Sequence, residues 1–475
     1  MAQAYSRVET RVMVSLDQHD RQIRSCRAMD SGRFKAHPPP LKWRGPRGDD
    51  SIITPREHRD TLRRVALATF AGTAMEWYDY YLFGLAASLV FNRLYFTELH
   101  AVAAALAAFA TFGVGFVARP FGAALFGWIG DRIGRKPALI LTVTLIGLAT
   151  GLIGLLPDFS SIGVAAPVLL VLLRLTQGIA VGGEWSGAVT LAFEHAPPER
   201  RGWYASLPQL GSPVGALLSS GAFALVLHLD PAQFDHWGWR LPFLAAFPLL
   251  GVAFYLRRAM DESPVFASRS ADSKPDAPVW EIITQVPGRL LLAMGTALIG
   301  IGGYYMFTTF AIGYGVRVLG IPQATMVGAT LMTSIAELIV IVCVARVMDR
   351  IRPWRITFYG ALFCALVAWP AFLMIESRQA SLVFLGVAAG VCTVSAVYAA
   401  SGALLSGLFP ARLRYSGVAL AYNLAGVVAG LLPLSATALL EATGNHASAP
   451  AGIVACIAIV SALTAWRSQS VHLQQ

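Results

Sequence analysis

Twelve apolar stretches, each long enough to cross a bilayer as a helix, fill the chain between residues 65 and 466. A bilayer core of about 30 Å needs roughly 20 apolar residues in a helix. We place the stretches at residues 65–92, 101–128, 138–157, 165–193, 203–228, 239–256, 289–315, 324–345, 356–375, 380–408, 415–440 and 449–466. The sequence therefore predicts an all-α polytopic membrane protein with twelve transmembrane helices.

Composition excludes a single soluble enzyme. Of the 475 residues, 56% are apolar and 13% are charged, whereas soluble proteins carry roughly 25% charged residues. The five cysteines form no CxxC pair and have no His at metal-ligand spacing, so we expect no disulfide, metal site or cofactor.

The basic residues of the connections indicate the orientation in the membrane. They concentrate on one set of alternate connections, within residues 132–136, 200–201, 257–289, 346–355 and 412–414. The opposite set carries only Arg93, Arg317 and Arg378. Because basic loops stay cytoplasmic, we predict a multi-pass inner-membrane protein with both termini cytoplasmic. The net charge of +10 then needs no nucleic-acid partner.

The polar segments divide the chain. Residues 1–64 lack the continuous apolar core of a signal peptide, and their polar composition predicts a disordered cytoplasmic tail. Residues 257–288 form the one long polar interruption between the apolar stretches. We predict a tail at 1–64, a six-helix bundle at 65–256, a cytoplasmic linker at 257–288, a second bundle at 289–467 and a short cytoplasmic C-terminus at 468–475.

The two predicted bundles contain similar connections. Gly127–Lys136 joins helices 2 and 3, and the related segment Ala345–Pro353 joins helices 8 and 9. Pro198–Gly202, between helices 4 and 5, has a counterpart in Pro410–Gly417, between helices 10 and 11. Two six-helix pseudo-repeats are the build of a rocker-type transporter, whose binding site lies between the repeats near mid-membrane.

Several motifs carry a family resemblance. Gly127–Lys136 matches the G-x-x-x-D-R-x-G-R-K signature of the major facilitator superfamily. Further blocks are Gly72–Tyr80, Gly115–Gly122, Arg174–Gly178, Gly182–Trp185, Glu194–Pro197 and Asp261–Phe266. Together they resemble the metabolite:proton symporter family, which contains shikimate, 2-oxoglutarate, citrate and proline/betaine carriers. Over residues 166–187 the chain is most similar to the shikimate-carrier branch. The family resemblance as a whole implies the major facilitator fold.

The resemblance implies a conformational latch in the loop between helices 2 and 3. Asp131 would cap a helix N-terminus in the opposite bundle, near helix 11, where the helix dipole favours an anion. The latch residues are Asp131, Arg132, Gly134, Arg135 and Lys136, whose basic members would bind cytoplasmic carboxylates or lipid phosphates. The second loop departs from the pattern at Arg352–Pro353, so we expect it to latch less strongly. Ser186 stands where the family usually has Gly.

Two acids in helix 1 are candidates for proton coupling. Glu76 and Asp79 are three residues apart, which places them on one helical face with Tyr80. An acid within a membrane helix costs at least about 2.5 kcal/mol by insertion scales, so these residues are expected to face a cavity or a partner. We predict proton coupling through Glu76 and Asp79 and a substrate contact for Tyr80. The alternative is a structural anchor to a neighbouring helix.

Further polar groups within the spans are candidates for substrate binding. By helical rise, Glu76, Arg119 and Glu184 lie at similar depth, so a charge triad across helices 1, 2 and 4 is possible. A permanent brace is the alternative. In the second half, Glu337 and Asn423 stand out from tyrosines that more often pack.

Arg174 and Gln177 lie nearer the outer face of helix 4 and are expected to contact substrate. Arg174 is about 15 Å from Glu184 along that helix and is expected to lack an acidic partner in the protein. A guanidinium holds a carboxylate with two parallel hydrogen bonds, so a substrate carboxylate is the natural candidate. The alternative is a side chain that snorkels to the outer interface.

We therefore predict a monomeric secondary active transporter, not an enzyme. It would take up a small carboxylated metabolite, shikimate-like or a dicarboxylate, with protons by alternating access. The alternatives are a proton-coupled zwitterion, betaine or proline carrier and a non-transporting substrate sensor. The sequence contains no G-x-x-x-x-G-K-[ST] phosphate loop, which argues against ATP as the energy source.

Overall fold

The computed structural model describes residues 55–97, 101–268, 275–444 and 446–472. The chain divides into the units Met1–Ile52 and Ile53–Gln475. The first unit, which contains most of the predicted tail, lies outside the described residues.

Twelve long helices make up most of the described chain, and no strand occurs in these ranges. They are α1 Pro55–Ala86, α2 Ala101–Arg132, α3 Arg135–Leu155, α4 Ala165–His195, α5 Pro198–Val226, α6 Pro231–Arg258, α7 Pro287–Arg317, α8 Gln323–Met348, α9 Pro353–Glu376, α10 Ala380–Leu408, α11 Arg414–Ala442 and α12 Ser448–His472. Helices α3 to α12 are each long and apolar enough to cross a membrane, and α1 and α2 have 32 residues each. The predicted all-α, twelve-helix architecture is confirmed.

The first helix begins earlier than its apolar stretch does. It starts at Pro55 with Glu57 in its first turn, and both features favour a helix N-terminus. Arg63 and Arg64 are exposed on this extension while Leu62 is buried. Residues 55–64, predicted to be part of a disordered tail, are therefore helical.

Irregular turns occur in two helices that line the centre of the molecule. In α5 a tight 3₁₀ turn at Leu207–Leu210 contains Pro208, which lacks the N–H that a regular helix needs. In α7 a wide π turn at Met306–Phe310 follows Tyr304 and Tyr305. Such turns change the direction in which neighbouring side chains project and are frequent at functional sites.

Small residues bring α2 and α4 into backbone contact. A Cβ atom added at Gly178 would lie 2.2 Å from the carbonyl oxygen of Gly115, and one added at Gly182 would lie 2.2 Å from that of Arg119. Larger side chains would therefore separate these helices. The close contact between α2 and α4 fixes the spacing of the helix segments that carry Arg119 and Glu184.

Helices from the two ends of the sequence pack together. Helix α11 packs on α2 and α4, while α5 packs on α8. The predicted linker contains the short helices Pro264–Ala267 and Pro278–Gln285, and α6 continues to Arg258. Arg257 thus belongs to a long helix and not to the linker. The division into two bundles at residues 256 and 289 stays a prediction.

Candidate transport site

A small cavity lies where helices from both halves of the chain meet. Its free space is about 20 Å³, close to the need of one water molecule. The lining residues are Glu76, Trp77, Tyr80, Arg119 and Ser212 from α1, α2 and α5, and Gly300, Ile301, Tyr304, Tyr305, Glu337, Tyr398 and Tyr422 from α7, α8, α10 and α11. The cavity is contracted, so a metabolite could enter only after the helices separate.

Arg119 is the only cation among the described lining residues. Its guanidinium carbon lies 4.4 Å from the ring centre of Phe116 and 5.9 Å from that of Tyr80. It also interacts electrostatically with Glu76 and Tyr305. A guanidinium has five N–H donors and no acceptor, so this side chain offers the cavity a fixed positive group.

Two carboxyl groups face the same cavity, Glu76 from α1 and Glu337 from α8. Both side chains are buried. The Oε1 atom of Glu337 accepts a hydrogen bond from Ser212 Oγ at 3.2 Å. None of the ion pairs among the described residues involves either acid.

Aromatic side chains form the rest of the wall. The Tyr81 and Tyr304 hydroxyl groups hydrogen-bond to each other between α1 and α7. Trp185 of α4 stacks on Tyr422 of α11, with ring centres 3.8 Å apart. These contacts join the two halves on several sides of the cavity.

Asp79 lies in a separate buried cluster and does not line the cavity. Its Oδ2 atom is 3.3 Å from Arg174 Nη1, and its Oδ1 atom accepts hydrogen bonds from Thr150 Oγ1 at 2.7 Å and from Gln177 Nε2. The expectation that Arg174 lacks an acidic partner was therefore wrong. Depth had been compared along α4 only, and Asp79 on α1 reaches the same level.

Glu184 is paired, but not with Arg119. Arg257 of α6 donates hydrogen bonds to both carboxylate oxygens, with Nη1 2.7 Å from Oε2. Thr142 Oγ1 donates to the same Oε2 atom at 2.6 Å. The charge triad that was considered for Glu76, Arg119 and Glu184 is thus replaced by a Glu184–Arg257 pair, with Arg119 facing the cavity.

Arg257 is a residue that the sequence reasoning missed. It was counted as a basic linker residue, yet it is fully buried. The spacing of residues along α6 could have identified it, because Ala246, Ala253 and Arg257 are the buried residues of this part of the helix. Their spacing of seven and four places them on one helical face.

Asp131 contacts the N-terminus of α11, where the resemblance implies it. Its oxygens accept hydrogen bonds from the backbone N–H groups of Tyr415 at 3.3 Å and Ser416 at 2.9 Å. These are first-turn donors without an intrahelical partner. Arg135 lies 3.1 Å from the same carboxylate. The role of this contact as a latch stays a prediction.

An unpredicted buried cluster surrounds Arg135. The carboxylate of Glu194 accepts hydrogen bonds from Arg135 Nε at 3.1 Å and from Arg414 Nη1 at 2.9 Å. Because α4 carries Glu194 and α11 begins with Arg414, this cluster joins the two halves at the end where Asp131 lies. Arg132 instead pairs with Asp276 at 3.0 Å on the surface, and Lys136 Nζ donates to the Arg258 carbonyl at 3.0 Å.

Glu262 of the linker caps α3. Its two oxygens accept the N–H groups of Arg135 and Lys136, each at 3.1 Å, and burial raises the pKa of its carboxyl group. Gly134, at φ 149°, makes room for it, since an added Cβ would lie 2.3 Å from Glu262 Oε2. The glycine of the signature is thus needed for its backbone angle and for space.

The loop between α8 and α9 makes a weaker version of the same contact. Asp349 accepts one N–H, from Trp203 in the first turns of α5, at 3.0 Å. Arg352, where this loop departs from the signature of the first loop, is exposed. Asn423, predicted to bind substrate, instead donates to the Gly182 carbonyl at 2.8 Å and so joins α11 to α4.

Asp131→Ala is expected to open the end of the molecule that carries this loop. The loss of a helix cap costs about 1 kcal/mol, and only the closed conformer is weakened. The rate at which an impermeant maleimide labels a Ser212→Cys reporter, in a cysteine-free background, should rise about fivefold from that side. Asp349→Ala should give a smaller increase, and unchanged labelling in Asp131→Ala would contradict the latch.

The fold and the cavity between its two sets of helices are typical of a membrane transporter. The chain belongs to the major facilitator superfamily and, within it, to the metabolite transporters. The sugar (and other) transporter family matches residues 65–278.

Relatives cover nearly the whole chain. The chain is 39% identical to the shikimate transporter of Escherichia coli K12 over 430 residues, 88% of this chain and 98% of that protein. It is 31% identical to the proline/betaine transporter of the same organism, over 85% of this chain and 82% of that one. These relatives are small-molecule transporters and not enzymes.

Two solved structures share the fold. A proton:xylose symporter bound to 6-bromo-6-deoxy-D-glucose superimposes with a TM-score of 0.68 at 18% identity, covering 86% of this chain and 96% of that one. The Escherichia coli fucose:proton symporter gives 0.62 at 14% identity, covering 86% and 98%. The described helices therefore form the major facilitator fold.

Proposed function

We propose that this transporter takes up a small hydroxylated carboxylate of the shikimate type together with protons. The observation that carries the proposal is Arg119, the one cation among the described lining residues, in a cavity that five tyrosines also line. The 39% identity to a shikimate transporter supports the same substrate class.

Arg119 would bind the substrate carboxylate. A guanidinium fork can donate two parallel hydrogen bonds to a carboxylate, and Arg119 forms no ion pair among the described residues that would occupy both. The hydroxyl groups of Tyr304, Tyr305 and Tyr398 can donate and accept hydrogen bonds, which suits a substrate with several hydroxyl groups.

Proton coupling would run through the acids of α1. Glu76 faces the cavity together with Arg119, so substrate binding at the guanidinium would weaken the attraction between Arg119 and an ionised Glu76. That change favours protonation of Glu76. Asp79 is held by Arg174 and Gln177. Its protonation would change when closure of the transporter moves α1 against α4.

The transport cycle would use the contacts at the Asp131 end as the cytoplasmic gate. Asp131 and the Glu194 cluster hold α11 against α2 and α4, so this end is closed while they persist. The basic connections lie at the same end, which supports a cytoplasmic position.

A betaine or proline carrier is a second candidate. Glu76 and Glu337 supply carboxyl groups, and Trp77 and the neighbouring tyrosines supply aromatic faces. Aromatic faces bind quaternary ammonium groups by cation–π attraction. The 31% identity to a proline/betaine transporter is consistent with this possibility.

Counterflow exchange in proteoliposomes separates the two candidates. We expect exchange of labelled shikimate, and weaker or no exchange of 2-oxoglutarate, citrate, proline and betaine. Arg119→Lys, which keeps the charge but loses the planar fork, should raise the KM more than it lowers the amount of folded protein. The control is Arg258→Lys at an exposed position. Exchange of betaine without exchange of shikimate by the wild type would overturn the proposal of an anionic substrate.

A further inference from the structure

Glu337 is the only carboxyl group that the second half of the chain contributes to the described cavity lining. Its side chain is 1% exposed. Ser212 Oγ donates to Oε1 at 3.2 Å, whereas Oε2 has no hydrogen-bond partner among the described residues. One carboxyl oxygen is therefore buried at the cavity without a donor.

No positive group faces this carboxyl group in the described part of the chain. The titratable or polar groups that interact with it are Tyr81 of α1, Ser212 of α5, Tyr304 of α7, and Cys392 and Tyr398 of α10. These groups are neutral in their ordinary state, and the charged residues that line the same cavity in the described part of the chain, Arg119 and Glu76, form no ion pair with Glu337.

Three buried acids outside the cavity are arranged differently, whereas Glu76 shares with Glu337 the lack of an ion pair among the described residues. Asp79 is bound by Arg174, Glu184 by Arg257, and Glu194 by Arg135 and Arg414. An ionised carboxylate buried without such a partner costs several kcal/mol, and in practice the group takes up a proton instead. The surroundings of Glu337 are those of a neutral carboxylic acid.

We propose that Glu337 is a proton-binding site of the transport cycle, in addition to the acids of α1. Its carboxylate takes a proton from water while the cavity is open, which forms an O–H bond, and this proton is carried in the closed cavity. When the other end opens, the proton returns to water. The inference rests on the proposed proton-coupled transport and adds a site on α8 to it.

The protonation of Glu337 couples pH to closure. The closed conformer binds this proton and the open conformer can release it, so a lower external pH favours closure. A substrate that binds preferentially to the closed conformer binds more tightly when protonation increases the population of that conformer. The apparent affinity for substrate should therefore rise as the external pH falls.

Infrared spectroscopy of the purified protein tests the proton directly, without a substrate. At neutral pH the wild type should show the carbonyl stretch of a buried protonated carboxyl group, and Glu337→Gln should lose part of this band. Glu199→Gln makes the same chemical change at an exposed position in the first turn of α5 and should leave the band intact. A full band in Glu337→Gln would overturn the proposal.

A second variant keeps the test decisive should Glu337→Gln fail to fold. Ser212→Ala removes the one donor to Glu337 and should shift the same band to higher frequency, because the carbonyl group is no longer hydrogen-bonded. An unshifted band in this variant would count against the assignment.

Transport then tests coupling, with labelled shikimate as the probe. Glu337→Gln should retain exchange at a reduced rate but lose the stimulation by an inward pH gradient. If the wild type is gradient-driven and the variant is equally so, this inference fails while the proposed function stands. If the wild type does not transport shikimate, the proposed function fails, and the infrared result alone decides the protonation of Glu337.

Discussion

Asp79→Asn is expected to abolish accumulation of substrate. The carboxylate lies 3.3 Å from Arg174 and accepts a hydrogen bond from Thr150 at 2.7 Å. Removal of its charge leaves Arg174 buried without its acid, which costs about 3–5 kcal/mol. This cost lowers the free energy of unfolding. Accumulation is expected to fail for a separate reason, because the amide that replaces the carboxyl group cannot take up a proton, so gradient-driven initial uptake into proteoliposomes should approach the background of empty vesicles.

A double variant separates proton coupling from stability at this cluster. Asp79→Asn combined with Arg174→Gln removes both charges and should restore much of the thermal stability, but not the uptake driven by a pH gradient. Asp230→Asn, at an exposed position, is the matched control and should behave as the wild type. If the double variant regained gradient-driven uptake, Asp79 would be structural only.

Arg257→Met is expected to cause the largest loss of stability. It leaves Glu184 fully buried with only the Thr142 hydroxyl as a described donor, and the loss of one partner of a buried pair costs about 3–5 kcal/mol. The thermal unfolding temperature of the detergent-solubilised protein should fall by roughly 6–20 °C, since each kcal/mol shifts the Tm of a large domain by about 2–4 °C.

The adjacent residue provides the control for that change. Arg258 is exposed, and Arg258→Met should alter stability by no more than about 0.5 kcal/mol. Arg257→Met combined with Glu184→Gln should regain part of the loss, because no uncompensated charge remains. Equal unfolding temperatures for Arg257→Met and Arg258→Met would contradict the structural role of the pair.

The helices could be predicted because the length and apolarity of a stretch are enough to identify a membrane-spanning helix. Helix α10 is an example, since both its apolar stretch and the observed helix cover residues 380–408. The start of α1 was harder to predict, because residues 55–64 form a mostly polar extension that no apolar run marks. Capping features such as Pro55 and Glu57 were the only local signal.

The polar contacts were predicted less well, because depth along a helix does not determine which helices are neighbours. Arg174 was compared only with Glu184 on the same helix, whereas its 3.3 Å contact with Asp79 depends on the packing of α1 against α4. The position of Asp131 at α11 came from a family signature and not from the residue pattern. Arg257 was missed because charge suggested a loop, whereas its spacing from Ala253 indicated a buried helical face.

In the proposed cycle a proton gradient drives the uptake of a small carboxylate. The most direct measurement is the uptake of labelled shikimate into proteoliposomes, with the interior alkaline or at the external pH. We predict accumulation above the external concentration only with the gradient, and its collapse when a protonophore is added. Equal uptake with and without the gradient, or no uptake of shikimate at all, would contradict the account.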